Sequence, residues 1–277
     1  MTKTWFISGA SSGLGREMAQ QLLARGDIVA GTSRRDGALA DLKRKYGDNL
    51  HVLKLELTDV KSIRVALDAA FAALGRIDVV VSNAGYGLVG AAEELSDAQI
   101  DQQIATNLIG SIQLIRAALP YLRAQGGGRI VQISSEGGQI AYPNFSLYHA
   151  SKWGIEGFIE AVAQEVAPFG IDFVMAEPGP TATGFREGLV HAERMAIYDD
   201  TPAGEVRRAI QTGSFVLKGD AARTVAAIIS AADREKAELR LALGSTAYQS
   251  ISKALAARLL SIEGQHDVAF AADRPDI

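Results

Sequence analysis

Apolar residues recur along this chain in two alternating rhythms. Short, nearly unbroken hydrophobic runs appear at Trp5-Phe6-Ile7, Ile28 to Thr32, Val52 to Leu57, Ile77 to Val81, Arg129 to Ile133, Ile171 to Ala176 and Leu239 to Leu243. Between them lie longer stretches in which apolar positions return every three or four residues. The first rhythm predicts strands buried on both faces, the second amphipathic helices. Met18, Leu22 and Leu23 mark one such helix face before Gly26, a C-cap. Further helices are predicted over about 38–45, from Thr58-Asp59 to about Leu74, from Ser96 to about Leu119, through Tyr148, from Asp220 to about Ala232, and from about Ser245 to Ile262. Ser96 and Gln99 have the spacing of a capping box.

Alternation of this length implies right-handed crossovers and a parallel sheet. The predicted fold is α/β: a single doubly wound, Rossmann-type domain over residues 1–277, with a seven-stranded parallel sheet and helices on both faces. Two stretches depart from the rhythm. Residues 183–219 hold short helical pieces and no clear strand, as a substrate lid would. Residues 245–277 form a helical extension beyond the last strand.

Composition narrows the function. With 48% hydrophobic and 22% charged residues the chain is that of an ordinary globular protein. A net charge of −4 without single-sign runs argues against a nucleic-acid surface. There is no cysteine, and His51, His149, His191 and His266 are scattered, so no metal site is expected. No apolar run approaches the ~20 residues that span a bilayer, and the chain enters its first strand at once. A cytoplasmic protein without membrane attachment is expected.

The polar motifs fall where the predicted strands end, the edge at which an open α/β sheet holds its ligand. The first is a glycine turn between strand and helix, in which Gly9, Ser11, Ser12, Gly13, Leu14 and Gly15 would let the backbone approach a pyrophosphate at the helix N-terminus. The second strand ends at Ser33-Arg34-Arg35 rather than at a carboxylate. A guanidinium grips a phosphate bidentately, so NADP(H) is preferred over NAD(H), with Arg34 as first choice and Arg35 and Ser12 as helpers. Asp59 either accepts from an adenine amino group or caps the next helix. Asn83, Ala84 and Gly85 are small residues where the chain passes close to a ribose. Pro178, Gly179, Thr181 and Thr183 stand where a nicotinamide carboxamide would be fixed.

Tyr148 and Lys152, four residues apart, share one helix face. A tyrosine titrates near ~10, and lowering that by ~3 units takes roughly 4 kcal/mol. A cation ~4 Å away at an effective dielectric near 20 supplies about that much. Ser135, at the end of a strand, can donate to a substrate oxygen, with Ser134 as its neighbouring competitor. Asn107 is a poor helix former in mid-helix, which gives its side chain a job such as holding a water against Lys152. His149, about 100° round the helix from Tyr148, is expected at the surface or an interface. Tyr86, Leu88, Val89, Tyr142, Phe145, Phe185, Tyr198 and Phe215 are candidates for an apolar pocket.

On these residues the chain resembles the short-chain dehydrogenase/reductase superfamily, in its shorter single-domain branch. Ser8 to Gly15 matches the family's glycine pattern with Ser8 in place of threonine, and Asn83 to Gly85 matches its Asn-Ala-Gly element. The catalytic Asn, Ser, Tyr and Lys fall on Asn107, Ser135, Tyr148 and Lys152, and the 13-residue interval from Ser135 to Tyr148 favours Ser135 over Ser134. The stretch from Ser135 to Lys152 is similar to NADP-dependent ketoreductases and hydroxysteroid-dehydrogenase-like members. The resemblance implies hydride transfer between NADP(H) and a secondary alcohol, ketone or aldehyde. Tyr148 would be the general acid/base, Ser135 would polarise the carbonyl, Lys152 would lower the tyrosine pKa and bind the ribose, and Asn107 would anchor a relay water. Thr181 departs from the hydrophobic residue usual there. The extension puts the common tetramer in doubt, so a homo-oligomer, a dimer before a tetramer, is expected. A dinucleotide-sensing protein without catalysis is the alternative; its mark, a missing Tyr or Lys, is not present.

Overall fold

The structure, a computed structural model, describes residues 2–214 and 216–274. Its elements run β1 (Thr4–Ile7), α1 (Gly13–Arg25), β2 (Ile28–Ser33), α2 (Ala40–Tyr46), β3 (Leu50–Lys54), α3 (Val60–Leu74), β4 (Val79–Ser82) and the short β5 (Leu88–Val89). Then come α4 (Asp97–Ile104), α5 (Ser111–Ala124), β6 (Gly128–Ile133), α6 (Ser146–Val166) and β7 (Ile171–Pro178). The last part holds β8 (Thr181–Ala182), β9 (Val190–His191), α7 (Pro202–Thr212), β10 (Gly219–Asp220), α8 (Ala221–Asp233), β11 (Arg240–Leu243), α9 (Ser245–Glu263) and α10 (His266–Ala271). No described helix is long and apolar enough to cross a membrane.

Seven strands form one sheet in the order β3-β2-β1-β4-β6-β7-β11, and every pair in it is parallel. The alternation along each strand divides the core into two layers. Trp5, Ile7, Val81 and Val174 pack with Met18 and Leu22 of α1 and Ile228 of α8. Phe6, Val80, Ile130 and Phe173 pack on the other face with Ile63 of α3, Leu114 of α5 and Ile155 of α6. The strand order reverses between β1 and β4, and the crevice beyond their C-terminal ends is the place a doubly wound sheet offers a ligand.

Three details differ from the sequence expectation. β3 starts and ends earlier than Val52–Leu57; Leu55 and Leu57 are buried but lie past the strand. The helix expected from Ser96 to Leu119 is interrupted by a π turn over Ala105–Gly110, centred near Asn107. The Ser96–Gln99 capping box at its start is present, with Ser96 N–H donating to Gln99 Oε1 at 3.0 Å. The stretch 183–219 is pinned at both ends, because β8 and β10 pair in parallel. It is also tied to the segment after β4 by β5 and β9, so it leaves and rejoins the domain at one point.

Candidate active site

At the C-terminal edge of the sheet lies a cleft of about 990 Å³ that runs from the glycine turn to Tyr148 and Lys152. The glycine turn is built by neighbouring strands as much as by its own residues. Ser8 Oγ accepts from the backbone N–H groups of Asn83 and Ala84 at 2.9 and 3.2 Å. Asn83 Nδ2 donates back to the carbonyls of Ser8 and Gly9 at 2.9 and 3.1 Å. Gly9 has φ +71°, and a Cβ there would come 2.8 Å from Ala84 Cβ; a Cβ on Gly15 would strike Asn83 Nδ2 and the Gly9 carbonyl. The asparagine thus fixes the turn, and two of the glycines make room for it. α1 begins at Gly13 with no side-chain cap from Ser12. The first backbone N–H groups of the helix are thereby left for an anion, as a pyrophosphate requires. Gly9, Ser11, Ser12, Gly13 and Leu14 line the cleft, whereas Gly15 serves packing.

Further along, Arg34 lines the cleft with its side chain 74% exposed, and its nearest carboxylate, Glu56, is 3.9 Å away. Arg35 is exposed outside the lining, where its backbone N–H is held by Ser33 Oγ at 3.1 Å. Asp59 resolves to the capping alternative. Its Oδ1 accepts from Lys61 N–H at 2.8 Å at the start of α3, and the residue is not in the cleft wall. Leu55, Glu56 and Leu57 form the wall there instead. Asn83, Ala84, Gly85, Pro178, Gly179, Thr181 and Thr183 all line the cleft, and Thr181 Oγ1 donates to the Gly179 carbonyl at 2.8 Å. The cradle is therefore open, polar and sized for a dinucleotide.

At the inner end, Ser135, Tyr148 and Lys152 come together, all buried and all in the cleft wall. Ser135 ends β6 in extended conformation and its Oγ accepts from Gly137 N–H at 3.1 Å. Its hydroxyl is close enough to the Tyr148 phenol to lower that phenol's pKa. Lys152 Nζ lies 5.6 Å from the Tyr148 ring centre and donates to the Ile133 carbonyl at 2.9 Å. Burial pushes Tyr148 up to about 12; the nearby Ser135 hydroxyl pulls it down, while the Glu136 and Glu156 carboxylates add to the rise. Burial also pushes Lys152 down to about 8, against the upward pull of Glu156. In the protein alone, desolvation outweighs the mutual help of the pair.

Asn107 does not line the cleft. Its Oδ1 accepts from Tyr86 N–H at 3.1 Å and its Nδ2 donates to the Tyr86 carbonyl at 2.8 Å. The π turn aims the amide at that backbone, and the Asn107 carbonyl accepts from Ser111 Oγ at 3.0 Å. His149 is a correction: it is buried, not at a surface. Its Nε2 accepts from Tyr142 N–H at 3.2 Å and its Nδ1 faces the Gly137 carbonyl at 2.9 Å, bracing the loop between Ser135 and α6. Ser134 turns away and donates to Glu156.

Tyr86, Tyr142, Phe145 and Phe185 line the cleft as expected, and the Phe185 ring sits 5.9 Å from that of Tyr148. Leu88 and Val89 are buried beside it, and Tyr198 points out to donate to Glu93 at 2.7 Å. Phe215 lies outside the described residues. Sequence reasoning missed Leu189, Val206 and Ile210, which complete the apolar wall, and Glu136, a buried acid at its inner end. Val206 and Ile210 carry the i, i+4 signal of one helix face; Glu136 stands next to Ser135 and an acid at that position was signal enough.

Known proteins agree with this architecture. The family described as short chain dehydrogenase matches residues 3–194. Oxidoreductase BOA17 of Botryotinia fuckeliana is 33% identical over 255 residues, 92% of this chain and 93% of that protein. The 3-ketodihydrosphingosine reductase of Bacteroides thetaiotaomicron is 39% identical over 181 residues, 65% of each chain. Among solved structures, a short-chain dehydrogenase from Streptomyces avermitilis superposes with a TM-score of 0.91 at 38% identity, over 98% of both chains.

Proposed function

The chain belongs to the short chain dehydrogenase family of oxidoreductases, and from that premise we propose that it transfers a hydride between NADP(H) and a ketone, aldehyde or secondary alcohol of mainly apolar frame. One observation carries the reading: Ser135, Tyr148 and Lys152 together close one end of a cleft whose other end is an uncapped helix N-terminus. When bound, the dinucleotide supplies the hydride. The free N–H groups of α1 suit its phosphates, and the exposed guanidinium of Arg34 suits a 2′-phosphate.

Tyr148, near 12, holds its proton throughout the neutral range, which suits it to donate to a carbonyl oxygen. Ser135 Oγ supports the same oxygen as negative charge develops there. Lys152, near 8, is charged at neutral pH and steadies the phenolate left behind. Tyr142, Phe145, Phe185 and Leu189 exclude water, which keeps these interactions strong. Ile109 and Trp153, large apolar side chains 44% and 43% exposed on the segments that carry the site, support a homodimer through those helices. A cytoplasmic location is part of the same reading.

NADPH oxidation with a panel of medium-chain ketones and aldehydes tests it. Tyr148→Phe should lower turnover by about 10²–10⁴ while NADPH affinity stays within about three-fold; retained turnover would remove Tyr148 as the acid. Tight NADPH binding by the wild type with no turnover on any substrate would favour the non-catalytic alternative. For the cofactor, Arg34→Ala should weaken NADPH by about ten-fold or more, a lost charge-assisted contact, and leave NADH nearly unchanged. Equal losses for both cofactors would sink the NADP preference.

A further inference from the structure

Glu136 follows Ser135 directly and is 4% exposed, yet it forms part of the cleft wall. Its Oε2 accepts from Ser250 Oγ of α9 at 3.1 Å, and a Cβ on Gly179 would come 3.5 Å from that oxygen. The carboxylate therefore sits between the ends of β6 and β7, beside the meeting point of Ser135 and Tyr148. It is near enough to Tyr148 and Tyr142 for its charge to push both phenols up.

What it lacks is a cation. Among the described residues no Lys or Arg nitrogen pairs with it. The basic groups in the neighbourhood are committed elsewhere: Arg240 to Glu156 and Glu177, Lys152 to the Ile133 carbonyl, Arg258 to the Gln139 carbonyl. Burial raises the pKa of this carboxyl, against the pull of the one hydroxyl that holds it, and a cation that completes its shell would favour the ionised form. Arg186, which also lines the cleft, donates to the Ile210 carbonyl, and Tyr142, Phe145, Phe185 and Leu189 make the surrounding wall mainly apolar. Consecutive Cα atoms are about 3.8 Å apart, so a group that reaches Glu136 lies only a few atoms from one held by Ser135.

We infer that Glu136 selects the substrate by pairing with a protonated amine carried close to the reacting carbonyl on an otherwise apolar chain. The inference rests on the hydride-transfer reading above and names its substrate class. The amine keeps its proton throughout. The carbonyl carbon gains the hydride, its oxygen gains the Tyr148 proton, and Glu136 neutralises the neighbouring charge. A site built around such a pair rejects the analogue that lacks it, because the acid is then left buried and alone.

Two ketones of equal shape decide the matter: 1-(dimethylamino)decan-2-one and the uncharged 2-methyldodecan-4-one, with NADPH at slightly acid pH. The wild type should favour the amino ketone in kcat/KM by about ten-fold or more. Glu136→Gln should erase that preference, leaving similar kcat/KM for the two ketones. No preference in the wild type, a preference that survives in Glu136→Gln, or an equal loss on both ketones would each overturn the role. The last result would place Glu136 at the cofactor or in anchoring α9. Calorimetry with the corresponding amino alcohol and neutral alcohol needs no turnover and no variant: equal affinities for the wild type would also overturn it. Reduction of neither ketone, with the amino alcohol still bound more tightly, would instead strike the hydride-transfer reading alone.

Discussion

Lys152 carries a charge into a place that gives it one carbonyl, that of Ile133, and little else. Its pKa of about 8 against 10.5 for an ordinary lysine measures the stability the fold gives up to keep an ammonium beside Tyr148, on the order of 3 kcal/mol. Lys152→Met fills similar volume without the charge. It should abolish turnover yet raise the melting temperature of the ligand-free protein by roughly 5 °C. The sign with pH follows from the two values. Below pH 8 both folded and unfolded chains hold the proton and the full cost is present. Between about 8 and 10.5 the folded chain releases it first, so wild-type stability rises and the advantage of the Met variant shrinks. Melting curves of both proteins across that window check it; a constant gap, or a less stable Met variant at pH 7, would mean that the Ile133 hydrogen bond outweighs desolvation.

Elements were legible where one property sets them. The seven strands follow from unbroken apolar runs, and the caps at Ser96, Asp220 and Gly26 follow from side-chain chemistry and glycine at fixed offsets. β3 was misplaced because Leu55 and Leu57 stay buried beyond the last ladder pair, so the apolar pattern outruns the hydrogen bonding. The π turn at Asn107 has no signal in periodicity; it is selected by the Tyr86 backbone, far away in sequence. The same holds for His149. Its angle from Tyr148 was read correctly, but the loop from Gly137 to Tyr142 folds over that flank of α6 and buries the ring. Motif residues of the candidate site could be placed because each lies at a strand end, and the sheet brings strand ends together. Arg35 and Asp59 stand outside the cleft wall, because sequence gives the neighbourhood of a strand end, not which side chain turns inward. The insert over 183–219 was visible only as loosened rhythm. The buried Glu94–Arg207 pair that holds α7 against the segment before α4 joins residues more than a hundred positions apart.

Across the whole molecule, chemistry and anchoring occupy opposite edges of one sheet. The cleft lies at the C-terminal ends of the strands, while the N-terminal edge is laced by Lys3–Asp233, Arg76–Asp78 and above all Arg129. Arg129 is buried at the start of β6. Its guanidinium takes both carboxylate oxygens of Asp172 on β7, at 2.5 and 2.6 Å. It also donates to the carbonyls of Ala231, Ala232 and Arg234, at 3.2, 2.7 and 2.7 Å. Those carbonyls lie in and just past the last turn of α8, where Ala231 also takes Arg234 N–H at 3.3 Å, so one side chain closes the helix and joins it to two strands. Arg129→Met would strand them and should lower the unfolding free energy by about 3 kcal/mol, read from the midpoint of urea denaturation. Four residues of strand, about 13 Å, separate Arg129 from Ile133, whose carbonyl holds Lys152. The variant that remains folded should therefore keep its turnover number and its NADPH affinity. A lower turnover number at saturating substrate, measured well below the melting temperature, would show that the two edges are coupled through β6.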